Sequence, residues 1–195
     1  MIALALLIAS AQSAAPAPYP SSEVLAAFGN VCRSLSDLKQ TEAEATSAGW
    51  TVVRPDPATP IGELVTFGMT EGSKMAAAEG GSIAPMRVLR RDVAGEELVA
   101  VLSGVRMNGS VVNGCRVYDV GEARRISLAE AEAWVGRPPS RSTSDEILST
   151  ATWEPGFDAN HDSFELCFIP TGSPAVKMVK VSGVVLKADF VGAEE

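Results

Sequence analysis

The chain has 195 residues, 46% of them hydrophobic, and carries 16 Lys and Arg against 24 Asp and Glu for a net charge of -8. That length and apolar content suit one domain whose core can form without a metal cluster, and they weigh against wholesale disorder. The acidic balance argues against a nucleic-acid partner, which needs concentrated Lys and Arg. The densest basic group, Arg87, Arg90 and Arg91, is followed closely by Glu96 and Glu97, as on a solvated hairpin face.

Residues 1–9 form an apolar run of signal-peptide length, too short to span a bilayer. Small residues follow, and Ala9-Ser10-Ala11 and Ala11-Gln12-Ser13 both offer the small-x-small pattern that a signal peptidase accepts. The first charged side chain is Glu23, so the positive end of this signal is the α-amino group alone. The expectation is a signal peptide over 1–13, a flexible Ala/Pro linker over 14–21 with Pro16, Pro18 and Pro20, and a single globular α+β domain over 22–192. No Cys precedes Cys32, so neither a lipidated Cys near the cleavage zone nor an integral membrane anchor is expected. Export would place the product in the periplasm or outside the cell.

Along the rest of the chain, Ser21 or Ser22 can cap a helix with Val24, Leu25, Phe28, Val31, Cys32 and Leu35 on its core face. Ser36-Asp37 offers a new cap for a helix through 41–48, which Gly49 terminates with Trp50 folding back. A strand follows over 50–53. Thr59 and Pro60 open a brief helix through Leu64, weakened by Gly62 and Gly68, and 70–82 reads as a loop with one helical turn at most. From Pro85 the apolar period becomes two. A hairpin turns at Ala94-Gly95, and Asn108-Gly109 marks another. Asn113-Gly114 repeats the signal, so one of the two is expected to be a bulge. Ser127-Leu128-Ala129-Glu130 is a capping box for a helix ending at Gly136. A Ser/Thr-rich loop then leads to a strand over 164–169 and a long final strand over 176–190 kinked at Ser182-Gly183. The predicted fold is α+β: N-terminal helices on a mostly antiparallel sheet, with one helix at about 128–135 inserted between strands.

No catalytic template fits. The nearest approach to Gly-x-Ser-x-Gly, Gly80-Gly81-Ser82-Ile83-Ala84, fails at its last place and reads as a linker. Ser36-x-x-Lys39 lacks companion motifs. The single histidine, His161, rules out a His-pair metal site. It lies in the polar run Asp158, Asn160, His161, Asp162, whose oxygens imitate the start of a calcium loop that then lacks its Gly and its bidentate Glu. No metal or cofactor is therefore expected. Three cysteines in an oxidising compartment suggest one disulfide and one leftover thiol. The pair Cys32 and Cys115, clamping the first helix to the sheet, is the expectation, with Cys167 a buried hydrophobe. The functional expectation is a non-catalytic module that binds an envelope protein or small ligand through its sheet or through the loops at 70–82 and 140–162. The alternatives are a small hydrolase built on Asp158, His161 and Asp162, with or without Cys167, and a secreted inhibitor or immunity-type protein.

Overall fold

The core face read from the sequence seats the first helix, α1 (Ser21–Val31), whose Val24, Leu25, Phe28 and Val31 are all buried. Its N-cap is Pro20, not a serine: Ser21 is already helical, and Tyr19 just before it is sunk into the core. The computed structural model describes residues 17–193. The predicted signal and residues 14–16 of the predicted linker lie outside that range, whereas Tyr19 at the linker's end belongs to the fold.

Helix α2 (Leu38–Ser47) begins at Asp37, whose carboxylate accepts from the amides of Lys39 and Gln40. That cap explains the Ser36-x-x-Lys39 spacing without chemistry. Gly49 takes φ +91° and the Trp50 amide bonds back to Ala45, turning the chain into β1 (Thr51–Val53). The strands that follow are β2 (Ser82–Ile83), β3 (Arg87–Val93), β4 (Glu96–Met107), β5 (Ser110–Val120), β6 (Arg141–Ser144), β7 (Ser149–Trp153), β8 (Ser163–Ile169) and β9 (Gly183–Ala193). All pairings among the described residues are antiparallel, in the order β1-β3-β4-β5-β9-β8-β7-β6, with β2 paired to β4 off this path. With helices α3 (Pro60–Ala78), α4 (Leu128–Val135) and α5 (Val176–Val179), the architecture is the predicted α+β fold, and α4 is the helix inserted between strands.

The sheet has two packed faces. Leu89, Leu98, Leu102, Val117, Phe164 and Leu186 face α1, α2 and α4, around Phe28 and Trp134. Val88, Val101, Tyr118, Cys167 and Val185 face the other way, under Ile61 of α3 and the segment around α5. The disulfide Cys32–Cys115 ties the end of α1 to β5 on the first face. No helix among the described residues is long and apolar enough to cross a membrane.

Five local expectations are corrected. The brief helix at Pro60 runs on for 19 residues through the predicted loop. Its glycines, which lower helix propensity, are where neighbours come close: a Cβ would lie 1.9 Å from the Asp56 carbonyl oxygen at Gly62, 2.9 Å from Met86 at Gly68 and 2.8 Å from Ile83 at Gly72. Close tertiary contacts therefore override propensity. Gly80-Gly81-Ser82-Ile83 is not a linker, because Ser82 and Ile83 pair with Arg106 and Val105. Asn113-Gly114 forms no bulge and sits in regular register opposite Gly104 and Ser103, the buried Asn113 amide donating to the Leu35 carbonyl at 2.7 Å. The turn is Asn108-Gly109 alone, both at positive φ. Finally, the final strand starts only at Gly183; residues 176–179 form the single turn α5, and the Ser/Thr loop contains the hairpin β6–β7.

Candidate functional site

The polar run around His161 joins β7 to β8, and the side chains of Asp158, His161 and Asp162 are committed to the fold. The His161 ring is fully enclosed and stacks on Phe157 with centroids 4.0 Å apart. Its Nε2 lies 2.7 Å from the Cys32 carbonyl oxygen and its Nδ1 2.7 Å from Asp158 Oδ1. Both ring nitrogens thus have an oxygen partner within the fold. The Asp158 carboxylate also accepts the Asn160 amide, and Asp162 accepts the Val191 amide at 2.6 Å. These four residues thus make a turn that pins the loop to the end of α1 and to β9. Asp158, His161 and Asp162 do not converge as a ligand set among the described residues.

Cys167 does not approach His161. It is a free, buried thiol on the sheet face turned away from α1, and burial pushes its pKa up to about 11. A thiol so held is a poor nucleophile.

A cluster invisible in the linear sequence lies where β4 begins and β5 ends. Glu96, Asp119 and Glu122 bring carboxylate oxygens within 4.8 Å of one another. Arg124 bridges the outer two, with Nη2 at 2.6 Å from Glu96 and in close contact with Glu122. Tyr19 closes the buried side: its hydroxyl donates to Asp119 Oδ2 at 2.8 Å, and its ring lies under the Arg124 guanidinium. Burial, reinforced by Glu96 and Glu122, raises the Asp119 pKa to about 6, while the hydrogen bond from Arg124 holds Glu122 well below the usual carboxylate range. Burial and Asp119 together push the Tyr19 phenol up. With its cation already supplied by Arg124, the cluster serves to fasten the arm before α1 to the sheet.

The remaining feature is a groove of about 330 Å³ on the first sheet face, between the segment entering α4 and strands β6–β8. Strand register builds its floor from two cross-strand rows, Ser142–Ala151–Leu166 and Ser144–Ser149–Phe168. Ile126 and Leu128, from the segment entering α4, form the opposite wall. The capping box fixes that segment, the Glu130 amide donating to Ser127 Oγ and the Ser127 amide to Glu130 Oε2. Arg125 stands exposed at the rim with no salt bridge among the described residues, unlike Arg124 beside it. Ser144 and Ser149 share a hydrogen bond at 2.8 Å. No acid, His or Cys lines the groove, so it offers an apolar floor, hydroxyls and one cation, but no base or nucleophile–base pair. A second hollow, between α1 and α2, is lined by groups already paired, such as Arg33 with Asn30 and Glu44 with Ser34.

Sequence reasoning placed binding on the sheet or in the loops at 70–82 and 140–162. The first of these loops is mostly helix α3; the second supplies one side of the groove through β6 and β7, and Arg125 and Leu128 were missed. The site therefore defines an α+β protein with a helix-walled groove at one end of its sheet. No family model, curated protein or solved structure matches the chain.

Proposed function

We propose that this protein is an exported, non-catalytic binding module, periplasmic or secreted, that holds its ligand in the groove between the start of α4 and strands β6–β8. The groove carries the reading, since it joins an apolar floor to a few fixed polar groups and a cation, as ligand sites do. Its lining has hydroxyls but no acid, His or Cys to serve as a general base that would activate one of them. Export is supported by the Cys32–Cys115 disulfide, a bond that persists in oxidising compartments, together with the signal-like run at the start of the sequence.

Two measurements test this. Expressed in a secreting bacterial host, the protein is expected in the envelope or medium with a new N-terminus after Ala11 or Ser13. An N-terminus still at Met1 in cytoplasmic material refutes export. For binding, a fragment screen followed by NMR is expected to move resonances of Leu128, Leu166 and Phe168, and Leu128→Arg to abolish the shifts. Fragments that cluster elsewhere, indifferent to Leu128→Arg, refute the groove as the site.

A further inference from the structure

Strand β6 ends the sheet order, and all four of its residues are exposed. Hydrogen bonding alternates along an antiparallel ladder. The Asp145 amide bonds to the Leu148 carbonyl, so Thr143 and Arg141, two and four residues back, also turn their backbone groups toward β7. Ser142 and Ser144 consequently turn theirs to the open edge. Their side chains stand on the groove face, because each heads one of the two rows that form the floor. The groove thus lies alongside a free strand edge.

We propose that the ligand is an extended peptide segment of a partner protein that adds to the sheet edge at β6, placing one apolar and one acidic side chain in the groove. This rests on the groove being the binding site and adds its occupant. A strand paired to Ser142 and Ser144 sends every second side chain toward the groove face, with neighbouring inward positions spaced about 7 Å apart. A volume of about 330 Å³ stands at the small end of the range for ligand pockets and accommodates a pair of side chains. The apolar one meets Leu128, Leu166 and Phe168. The acidic one meets Arg125, the cation without a salt bridge on a rim that carries no acid of its own. Backbone pairing at an exposed edge supplies affinity and the alternate side chains supply specificity. Within β6 no Pro blocks the edge, and its one charge, Arg141 at the strand's start, is paired with Glu154.

The probe is a phage-displayed library of random octapeptides, followed by the most enriched peptide labelled with fluorescein. The whole chain is expected to enrich peptides with an acidic and an apolar residue two positions apart, and binding is expected to protect the Ser142 and Ser144 amides from hydrogen exchange. Ser142→Pro removes a donor facing the edge and leaves the ladder to β7 intact; it should weaken binding roughly tenfold or more, as the loss of an interfacial hydrogen bond does. Arg125→Glu, a surface change with no bearing on folding, should weaken the acidic peptide by a similar factor and favour a lysine-bearing one. Peptides that shift Leu128 and Phe168 while Ser142 and Ser144 stay unprotected overturn strand addition but keep the groove as the site. Failure of every peptide, alongside fragments that still bind the groove, does the same. Failure of both peptides and fragments overturns the proposal and the groove reading together.

Discussion

Asp119→Asn should make the fold more stable at neutral pH and remove much of its pH dependence between about 4 and 7. The Asp119 carboxyl is buried beside Glu96 and Glu122, and its pKa rises from 3.8 to about 6 on folding. A raised folded-state pKa means that the native protein binds the proton more tightly than the unfolded chain. The stabilisation from this group is complete below pH 4 and is lost as pH rises through 6. Two pKa units correspond to about 3 kcal/mol, an order-of-magnitude figure. Glu122 acts in a lower window: its pKa is depressed by Arg124, so its contribution is present above the unfolded carboxylate pKa and fades as pH falls below it. The side-chain amide introduced by Asp119→Asn would keep an oxygen to accept the Tyr19 hydroxyl and gain an N–H for the neighbouring carboxylates. Urea unfolding of the oxidised protein at pH 4.5 and 7.5 checks this: the parent should lose about 2 kcal/mol more than the variant between the two values. Equal changes in both proteins refute the account of Asp119 as a buried acid held against its neighbours.

Three other changes read out the rest of the frame. Replacing Cys32 and Cys115 together by Ala opens a loop of sequence separation 83 and should cost about 4–5 kcal/mol on the chain-entropy model, measured by urea midpoint; an unchanged midpoint refutes it. His161→Ala should cost about 2–4 kcal/mol by orphaning the Cys32 carbonyl and Asp158 and leaving Phe157 unstacked, while groove binding of fragments is retained. Loss of binding with stability intact would return His161 to the functional site. Gly62→Ala should destabilise by about 1–3 kcal/mol although it raises helix propensity, because its Cβ meets the Asp56 carbonyl at 1.9 Å; a rise in melting temperature refutes that packing.

What the sequence disclosed follows the range of the interactions. Capping and turn chemistry act over a few residues, so Ser127 with Glu130, Thr59 before Pro60, Gly49 before Trp50 and Asn108-Gly109 were all legible. Helix α3 was not, because its three glycines argue against a helix locally and are explained only by Asp56, Met86 and Ile83 lying against them. Asn113-Gly114 carries the same local signal as Asn108-Gly109, and only the Leu35 carbonyl waiting across the core decides that one is strand and the other turn. The polar run at His161 misled for the same reason: its side chains look free in sequence, and the acceptor that occupies the ring is 129 residues away.

The groove was hidden more thoroughly, since each residue in it is locally unremarkable. Arg141-Ser142-Thr143-Ser144 has the composition of a loop and becomes a strand only because Thr150 and Ala151 pair with it. Once paired, its serines become the ends of two rows whose other ends are Leu166 and Phe168. That juxtaposition depends on register, and a one-residue slip of β6 would turn Ser142 and Ser144 to the opposite face. It also depends on α4 starting only at Leu128, a boundary that the capping box sets firmly. The start of α4 at Leu128 and the polar edge strand therefore belong together: the first leaves the inner face open above the floor rows, and the second leaves the backbone beside it unpaired. A partner strand would complete both.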